Sequence, residues 1–332
     1  MQLIQESVSD YEAGGTQKDE YSPDEVAAVH CPLCGSTGAD RLYREHRSLE
    51  IKKCSECSLI YTSPRVKDPG QSYHGQYEEY LTEAKLILSG RATHHRDPNY
   101  REELELLERH KPSRGRLLDV GCNMGMLMRI ARGRGWRPVG VEPSPALHKI
   151  ATEHLGLEVH NCLLHELPNS EDRAYDVVAL SDVFEHISEP RPFLRAAARF
   201  LKPDGILYLK VPNARWNILK QKMLKALGRT PAQGVWDSYE HVVHYDDGSL
   251  RKMLAAEGYE ARELTVSRPV QVPVWHQYVG QYYQYPSPWL LDWKRHLGRL
   301  GFYHLSRLER GVRGGAIGYC APNLVCVAAM QR

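Results

Sequence analysis

The chain has 332 residues, of which 42% are hydrophobic and 25% are charged, and its formal net charge is +2. These values fit one large globular domain with a smaller one, and the balanced charge weighs against a dedicated nucleic-acid binder, which would carry a basic excess. No apolar run approaches the roughly 18 residues needed to span a bilayer, and the polar amino terminus lacks a signal-peptide core. We therefore expect a cytoplasmic protein without a transmembrane segment.

Two pairs of cysteines follow a polar tail. Residues 1–27 show little periodicity and are expected to be flexible. Residues 28–64 contain two C-x-x-C pairs separated by 19 residues, a spacing that directs four thiolates at one ion. We predict a zinc ribbon with structural Zn²⁺, in which the metal substitutes for the core that so short a segment cannot bury. Its ligands would be Cys31, Cys34, Cys54 and Cys57. Whether the ribbon is a scaffold, covers the substrate side of the enzyme or docks the substrate stays open. The alternative to a zinc site is four unpaired or redox-active cysteines.

Residues 65–112 indicate a helical linker or cap, and residues 113–332 indicate an α/β domain. The predicted strands are Arg116–Val120, Pro138–Glu142, Leu157–His160, Asp176–Ser181 and Ile206–Val211. The predicted helices between them are Met124–Gly133, Ser144–His154 and Arg191–Leu201. Such alternation implies right-handed βαβ units, hence a parallel sheet with helices on both faces.

Two insertions interrupt the later part of this domain, at residues 214–248 and 268–321. The first carries a basic helix, Trp216–Leu227, whose lysines could attract a nucleotide diphosphate or anionic lipid, or could simply be solvated. Peripheral membrane contact is therefore one possibility. After a helix at Ser249–Glu257, strands at Tyr259–Ser267 and Asn323–Ala329 are expected to pair at the sheet edge.

The segment Leu117–Leu127 takes an apolar strand through a glycine-bearing turn directly into a helix. Glycines let the backbone approach a ligand, and the helix amino terminus presents free N–H groups. Asp119 would repel a pyrophosphate but suits the amino group of a methionine moiety. Glu142 lies 23 positions later, near the usual distance for an acid that grips ribose hydroxyls. Together these features predict a site for S-adenosyl-L-methionine rather than NAD.

These residues resemble class I methyltransferases, in particular small-molecule enzymes with motifs of the form D-x-G-C-x-x-G and D-V-x-E-H-x-x-x-P. The second motif is present as Asp182-Val-Phe-Glu185-His186-Ile-Ser-Glu-Pro190, and the resemblance covers residues 112–265. It implies a Rossmann-like methyltransferase sheet, mostly parallel with an antiparallel edge strand. The candidate cofactor-binding residues are Asp119, Gly121, Cys122, Asn123, Gly125, Glu142, Pro143, Leu164, Ser181 and Asp182.

Two positions depart from the family pattern. Asn123 stands where a second glycine is common, and asparagine tolerates a left-handed backbone. Leu163 and Leu164 stand where many members have an acid for the adenine amino group. Adenine would then rest on apolar side chains and backbone groups.

Two histidine clusters are candidates for the acid–base chemistry of methyl transfer. Glu185-His186 follows the fourth strand, at the edge where open α/β sheets bind ligands. Glu240-His241 resembles a pair in sugar C-methyltransferases, which also carry an amino-terminal four-cysteine zinc domain, and the resemblance implies a role in deprotonating the acceptor. The candidate catalytic residues are thus His241, Glu240 and His186. The alternatives are packing under the cofactor for His186 and a loop hinge for His241.

Residues 268–321 stand in place of the large carboxy-terminal domain of those sugar enzymes, and they are rich in aromatic residues. These could line an acceptor pocket or form the core of a helical cap; they are Trp275, Tyr278, Tyr282, Tyr283, Tyr285, Trp289 and Trp293. In the linker, Tyr73, Tyr77 and Tyr80 could fold over the cofactor.

Three functions are compatible with the sequence. The first is a methyltransferase for a small molecule such as a nucleotide-linked sugar, a natural-product intermediate or a quinone-like lipid. The second is an RNA or protein methyltransferase that docks its substrate on the ribbon. The third is a non-catalytic scaffold, against which the intact Asp119, Gly121, Gly125 and Glu142 argue. The sequence leaves the acceptor, the methylated atom and the oligomeric state undetermined.

Overall fold

Apolar side chains follow one another almost without interruption along the central strands, so each strand offers an apolar face to each of two helical layers. The computed structural model describes residues 20–67, 77–228, 235–267, 277–280 and 289–331. The strands are β1 (Val26–Ala27), β2 (Ala39–Glu45), β3 (Leu49–Cys54), β4 (Ile60–Thr62), β5 (Arg65–Val66), β6 (Thr93–His94), β7 (Arg116–Val120), β8 (Arg137–Val141), β9 (Val159–His160), β10 (Tyr175–Ser181), β11 (Leu201–Pro212), β12 (Val243–His244), β13 (Tyr259–Val266), β14 (Tyr278–Val279) and β15 (Asn323–Met330). The helices are α1 (Tyr77–Leu88), α2 (Asp97–His110), α3 (Met126–Gly133), α4 (Pro145–Lys149), α5 (Pro190–Phe200), α6 (Ala214–Ala226), α7 (Asp247–Ala255) and α8 (Trp289–Val312).

A seven-stranded sheet with the order β13-β15-β11-β10-β7-β8-β9 forms the centre of the fold. The strands from β11 to β9 in this order pair in parallel, and β15 pairs antiparallel with both β11 and β13. The order reverses between β7 and β10, and open α/β sheets bind ligands at such a reversal. This is the Rossmann-like methyltransferase sheet expected from the sequence, with β13 at its edge and the last strand one place inside.

Each face of the sheet is covered by its own helices. On one face, Leu117, Val177 and Ile206 pack with residues of α2 and α3. On the other, Leu118 and Val178 pack with residues of α5 and α7. The doubly covered sheet explains why its strands are nearly continuous apolar runs.

The cysteine-bearing segment forms a second sheet of order β12-β4-β3-β2, and one of its strands comes from a distant part of the chain. Strand β12, in the insertion 214–248, pairs antiparallel with β4 through Val243↔Tyr61 and His244↔Ile60. We call residues 28–64 the cysteine module. Its Leu59 and Tyr61 belong to the same buried cluster as the α5–α7 face of the central sheet. The module is therefore packed onto the larger domain through a shared core.

Several element boundaries differ from the sequence predictions for local reasons. Helix α6 begins at Ala214 rather than Trp216, because the Asn213 side chain caps it by accepting from the Arg215 N–H at 3.1 Å. Strand β9 has only Val159–His160, shorter than the predicted Leu157–His160. The helix predicted to run to His154 changes at Ile150 into a π-helical turn.

Parts of the aromatic insertion fall within the described residues. Residues 289–312 form α8, and Tyr278 is buried in β14, which pairs with β6. Trp275, Tyr282, Tyr283, Tyr285 and Tyr73 lie outside the described residues, as do the side chains of Tyr77, Trp289 and Trp293. Among the helices of the described ranges, none combines the length and the hydropathy required to cross a bilayer.

Candidate active site

A turn with three left-handed residues connects β7 to α3. Gly121, Asn123 and Gly125 have φ angles of 69°, 52° and 84°. A Cβ on Gly121 would lie 2.8 Å from Val183 Cγ2, and a Cβ on Gly125 would overlap the Leu157 side chain, so both positions exclude larger residues. Asn123 adopts the left-handed conformation anticipated for it, and its own side chain accepts from the Met124 N–H at 2.6 Å. At Gly121 and Gly125 the turn therefore presents backbone without a side chain.

Glu142 braces this turn from the end of β8. Its carboxylate accepts from the Asn123 N–H at 2.8 Å and from the Ser144 N–H at 2.9 Å. The Asn161 amide donates to the carbonyls of Glu142 and of Pro143 at 2.8 and 3.0 Å, which ties the end of β9 to the same loop. The carboxylate is thereby held at the sheet edge, and burial raises its pKa.

Asp119 lies at the end of β7, only 3% exposed. Burial, together with the neighbouring Glu103 and Glu142, raises the pKa of Asp119 to about 8. A carboxyl group in this state would ionise readily if a cation were brought beside it. The position thus favours a positively charged ligand group.

A buried ion-pair network lies next to Asp119 at the carboxyl ends of β10 and β11. Lys210 Nζ is 2.9 Å from Glu103 Oε1 and 3.3 Å from Asp182 Oδ2. Asp182, at φ 57°, also pairs with Arg96, and the Ser181 hydroxyl donates to Glu103 at 3.0 Å. Ser181 is therefore held by Glu103 of α2, and Asp182 is held by Arg96 in the segment before α2.

The two histidine clusters predicted separately meet in the folded chain. The rings of His186 and His241 pack edge to face with centroids 4.7 Å apart. Glu185 is 2% exposed, and one ligand atom each of Glu185, His186 and His241 lies within 4.8 Å of the others. Among the described residues, Glu185 Oε2 and the Tyr245 hydroxyl are buried without a hydrogen-bond partner. A water molecule or a ligand that bonds these two atoms would complete their hydrogen bonding.

Burial keeps the histidines of this cluster uncharged. It lowers the pKa of His241 to about 4, and burial with the neighbouring His241 lowers the pKa of His186 to about 3. The pKa of His244 is likewise lowered by burial to about 3. Neutral imidazoles can accept a proton, which is the state that a general base requires.

Tyr80 of α1 covers the glycine turn. Burial raises the pKa of Tyr80, and the nearby Glu83 and Glu142 add to this rise, whereas the Asn123 side chain opposes it. Tyr80 packs against the cluster that contains Cys122 and Met124 of the turn, and its role over a bound cofactor stays a prediction.

The remaining candidates lie around the turn with different exposures. Cys122 is buried beneath the turn. Its Sγ occupies the space that a side chain at Gly140 would need, so the backbone of Cys122 is the part that faces the crevice. Pro143 is exposed. Leu164 is 3% exposed within the core, whereas Leu163 is 48% exposed and is the leucine of the pair that remains accessible to a ligand.

The four predicted metal ligands are also brought together. The sulfurs of Cys31 and Cys57 are 3.4 Å apart, those of Cys34 and Cys54 are 3.5 Å apart, and all four lie within 4.8 Å of one another. Tetrahedral thiolates at the usual Zn–S distance would be separated by about 3.8 Å, so the donor set fits this ion.

Several site residues were not identified from the sequence. Arg96 and Glu103 reach the site from the predicted linker, and nothing local in the sequence marks them. Lys210 did carry a signal, since it is a charged residue inside an otherwise apolar strand, where a buried partner is required. Thr62 and Glu45 of the cysteine module contact the segment that carries His241, and this follows only from tertiary pairing.

The amino-acid sequence matches a family of known proteins. The family described as "Methyltransferase domain" matches residues 92–264, just over half of the chain. The ubiquinone biosynthesis O-methyltransferase of Rhodopseudomonas palustris is 30% identical over 106 residues, covering 30% of this chain and 41% of that protein. The protein of the same name from Thiobacillus denitrificans is 29% identical over 162 residues, covering 45% of this chain and 66% of that protein. The chain thus spans less than half the length of the first of these relatives.

Solved structures resemble the chain at lower identity. The 1,6-didemethyltoxoflavin-N1-methyltransferase of Burkholderia thailandensis, solved with S-adenosylhomocysteine, is 12% identical with a TM-score of 0.45, covering 89% of this chain and all of that one. A SAM-dependent methyltransferase from Archaeoglobus fulgidus is 17% identical with a TM-score of 0.42, covering 75% of this chain and 98% of that one.

The glycine turn can be tested through folding stability. Gly125→Ala places a Cβ against Leu157 at a φ of 84°, so we expect a loss of about 1–3 kcal/mol in the free energy of unfolding, measured by denaturant titration. Gly133→Ala in α3 is the control, because a Cβ there meets nothing within 4 Å and should be neutral or slightly stabilising. Equal stabilities of the two variants would show that the turn is not constrained as described.

Proposed function

The chain belongs to the methyltransferase-domain family, and from that membership we propose that it is an S-adenosyl-L-methionine-dependent methyltransferase of small molecules. The observation that carries the proposal is the crevice at the reversal of strand order, where the glycine turn lies between Asp119 and Glu142. In this proposal Asp119 receives the methionine ammonium group, and Glu142 binds the ribose hydroxyls. The backbone of Gly121–Gly125 approaches the ligand closely, and Leu163 contacts adenine.

When bound, the cofactor would supply an electrophilic methyl group on a sulfonium, with a thioether as the leaving group. The protein aligns the acceptor in line with the carbon–sulfur bond and excludes water. We propose that a ring nitrogen of His241 accepts the proton of the acceptor while Glu240 and His186 orient the ring. A hydroxyl oxygen that has gained a methyl group is a strongly acidic oxonium, so a neutral imidazole with a low pKa is sufficient as base for a hydroxyl acceptor.

We infer the chemical class of the methyl acceptor from the proposed site and not from any one relative. Buried carboxyl and imidazole groups suit a compact hydroxylated acceptor, such as a sugar linked to a nucleotide or a phenolic biosynthetic intermediate. The relatives named as O-methyltransferases of ubiquinone biosynthesis are consistent with an oxygen as the methylated atom. Incubation with methyl-labelled cofactor and either a small-metabolite extract or total RNA tests this, with label expected in the small-molecule fraction. Label in RNA alone would reject the small-molecule proposal.

Cofactor affinity is expected to depend on pH through Asp119. Its raised pKa means that binding of an ammonium group releases a proton below pH 8, so S-adenosylhomocysteine should bind more tightly as pH rises from 6 to 8, by up to about tenfold per unit. Isothermal titration in buffers of different ionisation enthalpy measures both the affinity and the proton release. Asp119→Asn should remove the slope, while Asp176→Asn, at the opposite end of the sheet, should retain it. A slope that persists in Asp119→Asn would assign the proton to another group.

His241→Gln should lower methyl incorporation by about 10²- to 10⁴-fold, the usual contribution of a general base. The affinity for S-adenosylhomocysteine should stay unchanged, because His241 lies on the acceptor side. His148→Gln is a matched control, since that ring bonds the Val159 carbonyl on another element. Unaltered incorporation in His241→Gln would remove this residue from the base role.

We also propose that the four cysteines hold one structural zinc ion per chain. Metal analysis by mass spectrometry should find one zinc, and Cys31→Ser should lose it together with stability. Cys326→Ser, at a buried cysteine in β15, controls for the general cost of replacing a buried thiol and should retain the metal. Zinc retained in full by Cys31→Ser would contradict this ligand set.

A further inference from the structure

The segment that carries His241 is held by the cysteine module at several points. We call residues 235–245 the histidine segment. Strand β4 pairs with β12, and the Thr62 N–H donates to the Val242 carbonyl at 3.0 Å. On its other side, the Val242 N–H donates to the Glu185 carbonyl at 2.9 Å. The segment is thus inserted between the module and the short helical turn after β10 that bears Glu185 and His186.

Thr62 connects two histidines of this segment through one hydroxyl group. The Thr62 Oγ1 donates to the His241 carbonyl at 3.1 Å and lies 3.1 Å from His244 Nε2. Because the single hydroxyl proton is used on the carbonyl, Oγ1 can only accept from His244, which fixes that ring with its proton on Nε2. Thr62 is fully buried, so water cannot replace either bond.

Glu45 fixes the beginning of the same segment from the end of β2. Glu45 is 4% exposed, and its carboxylate accepts from the N–H groups of Val235, Trp236 and Ser238 at 3.1, 3.0 and 3.1 Å. Three backbone donors converging on one buried carboxylate form a strong, charge-assisted arrangement. Trp236, oriented by this loop, packs edge to face on His244 with ring centroids 5.0 Å apart.

We propose that Glu45 and Thr62 are positioning residues for the histidine segment, so that the cysteine module forms the acceptor-side wall of the active site. The module then acts neither as a remote scaffold nor as a separate docking domain. The role of His241 in chemistry rests on the proposed function; the placement of its segment by the module does not.

The first test uses Thr62→Val, Thr62→Ser and Ser63→Ala in the full chain, loaded with zinc and S-adenosylhomocysteine. Ser63 is the matched control, because its buried hydroxyl bonds Val29 within the module and not the histidine segment. Nitrogen-15 NMR of the imidazoles should show His244 as the Nε2–H tautomer in the parent and in Thr62→Ser. In Thr62→Val we expect a mixture of tautomers and shifted His241 signals, with unchanged metal content. Spectra of Thr62→Val that match those of Ser63→Ala would overturn the proposal.

Methyl incorporation from labelled cofactor into the small-metabolite extract separates this inference from the proposed function. Thr62→Val should lower incorporation by about 10- to 100-fold, the effect of a small misplacement of a reacting group, and Thr62→Ser should restore it. If His241→Gln transfers methyl normally while Thr62→Val still alters the imidazole signals, the base role fails and the positioning inference stands. Full incorporation in Thr62→Val, alongside reduced incorporation in His241→Gln, would overturn the positioning inference alone.

Glu45→Gln provides a readout that survives if Thr62→Val fails to fold. Hydrogen exchange at the amides of Val235, Trp236 and Ser238 should accelerate by roughly 10- to 100-fold, as expected when charge-assisted hydrogen bonds are lost. Glu50→Gln is the control, since that carboxylate pairs with Arg41, Arg44 and Lys52 on the module surface. Identical exchange in the two variants would contradict the role of Glu45.

Discussion

The fold concentrates acidic groups in a water-poor region where the carboxyl ends of the central strands meet. Burial of a carboxylate is costly unless a cation or several hydrogen bonds compensate it. Arg96 and Lys210 compensate Asp182 and Glu103, and two backbone amides compensate Glu142. Asp119 has no such support among the described ion pairs and hydrogen bonds, and its pKa is raised to about 8. The crevice is therefore complementary to a positively charged ligand, and the proposed cofactor carries both an ammonium and a sulfonium group.

A second constraint joins the two parts of the chain. The hydrophobic cluster that contains Leu59 and Tyr61 of the cysteine module continues through Phe184 and Tyr245 to the α5–α7 face of the sheet. Polar contacts add to it, since Lys252 donates to the Cys57 carbonyl at 3.0 Å and Arg65 to the Ser188 carbonyl at 3.2 Å. A segment as short as the cysteine module can bury little core alone, and here the neighbouring domain shares its core with it.

The parts of the fold that could be predicted are those set by local pattern. The pattern of apolar residues predicted the strands around Asp119 and Glu142 almost to the residue. Gly121 and Gly125, which adopt positive φ angles, predicted the turn. His186 and His241 come together because distant parts of the chain pack side by side, and no local sequence pattern encodes that packing. The contact of Thr62 with His244 spans 182 positions, and it depends on which edge of the module sheet accepts another strand. Long-range strand pairing is specified by packing, which a single sequence displays poorly.

The pairing of β4 with β12 also bears on the order in which the protein can assemble. Synthesis proceeds from the amino terminus, so the four cysteines leave the ribosome long before residues 243 and 244 do. Metal could already bind them at that stage, yet the β4 edge would remain uncovered, with its backbone groups exposed to pairing with other chains. Completion of the small sheet must wait for most of the large domain to be translated. A fragment ending before β12 would consequently carry an open strand edge, and attempts to express the module alone should include residues 235–245.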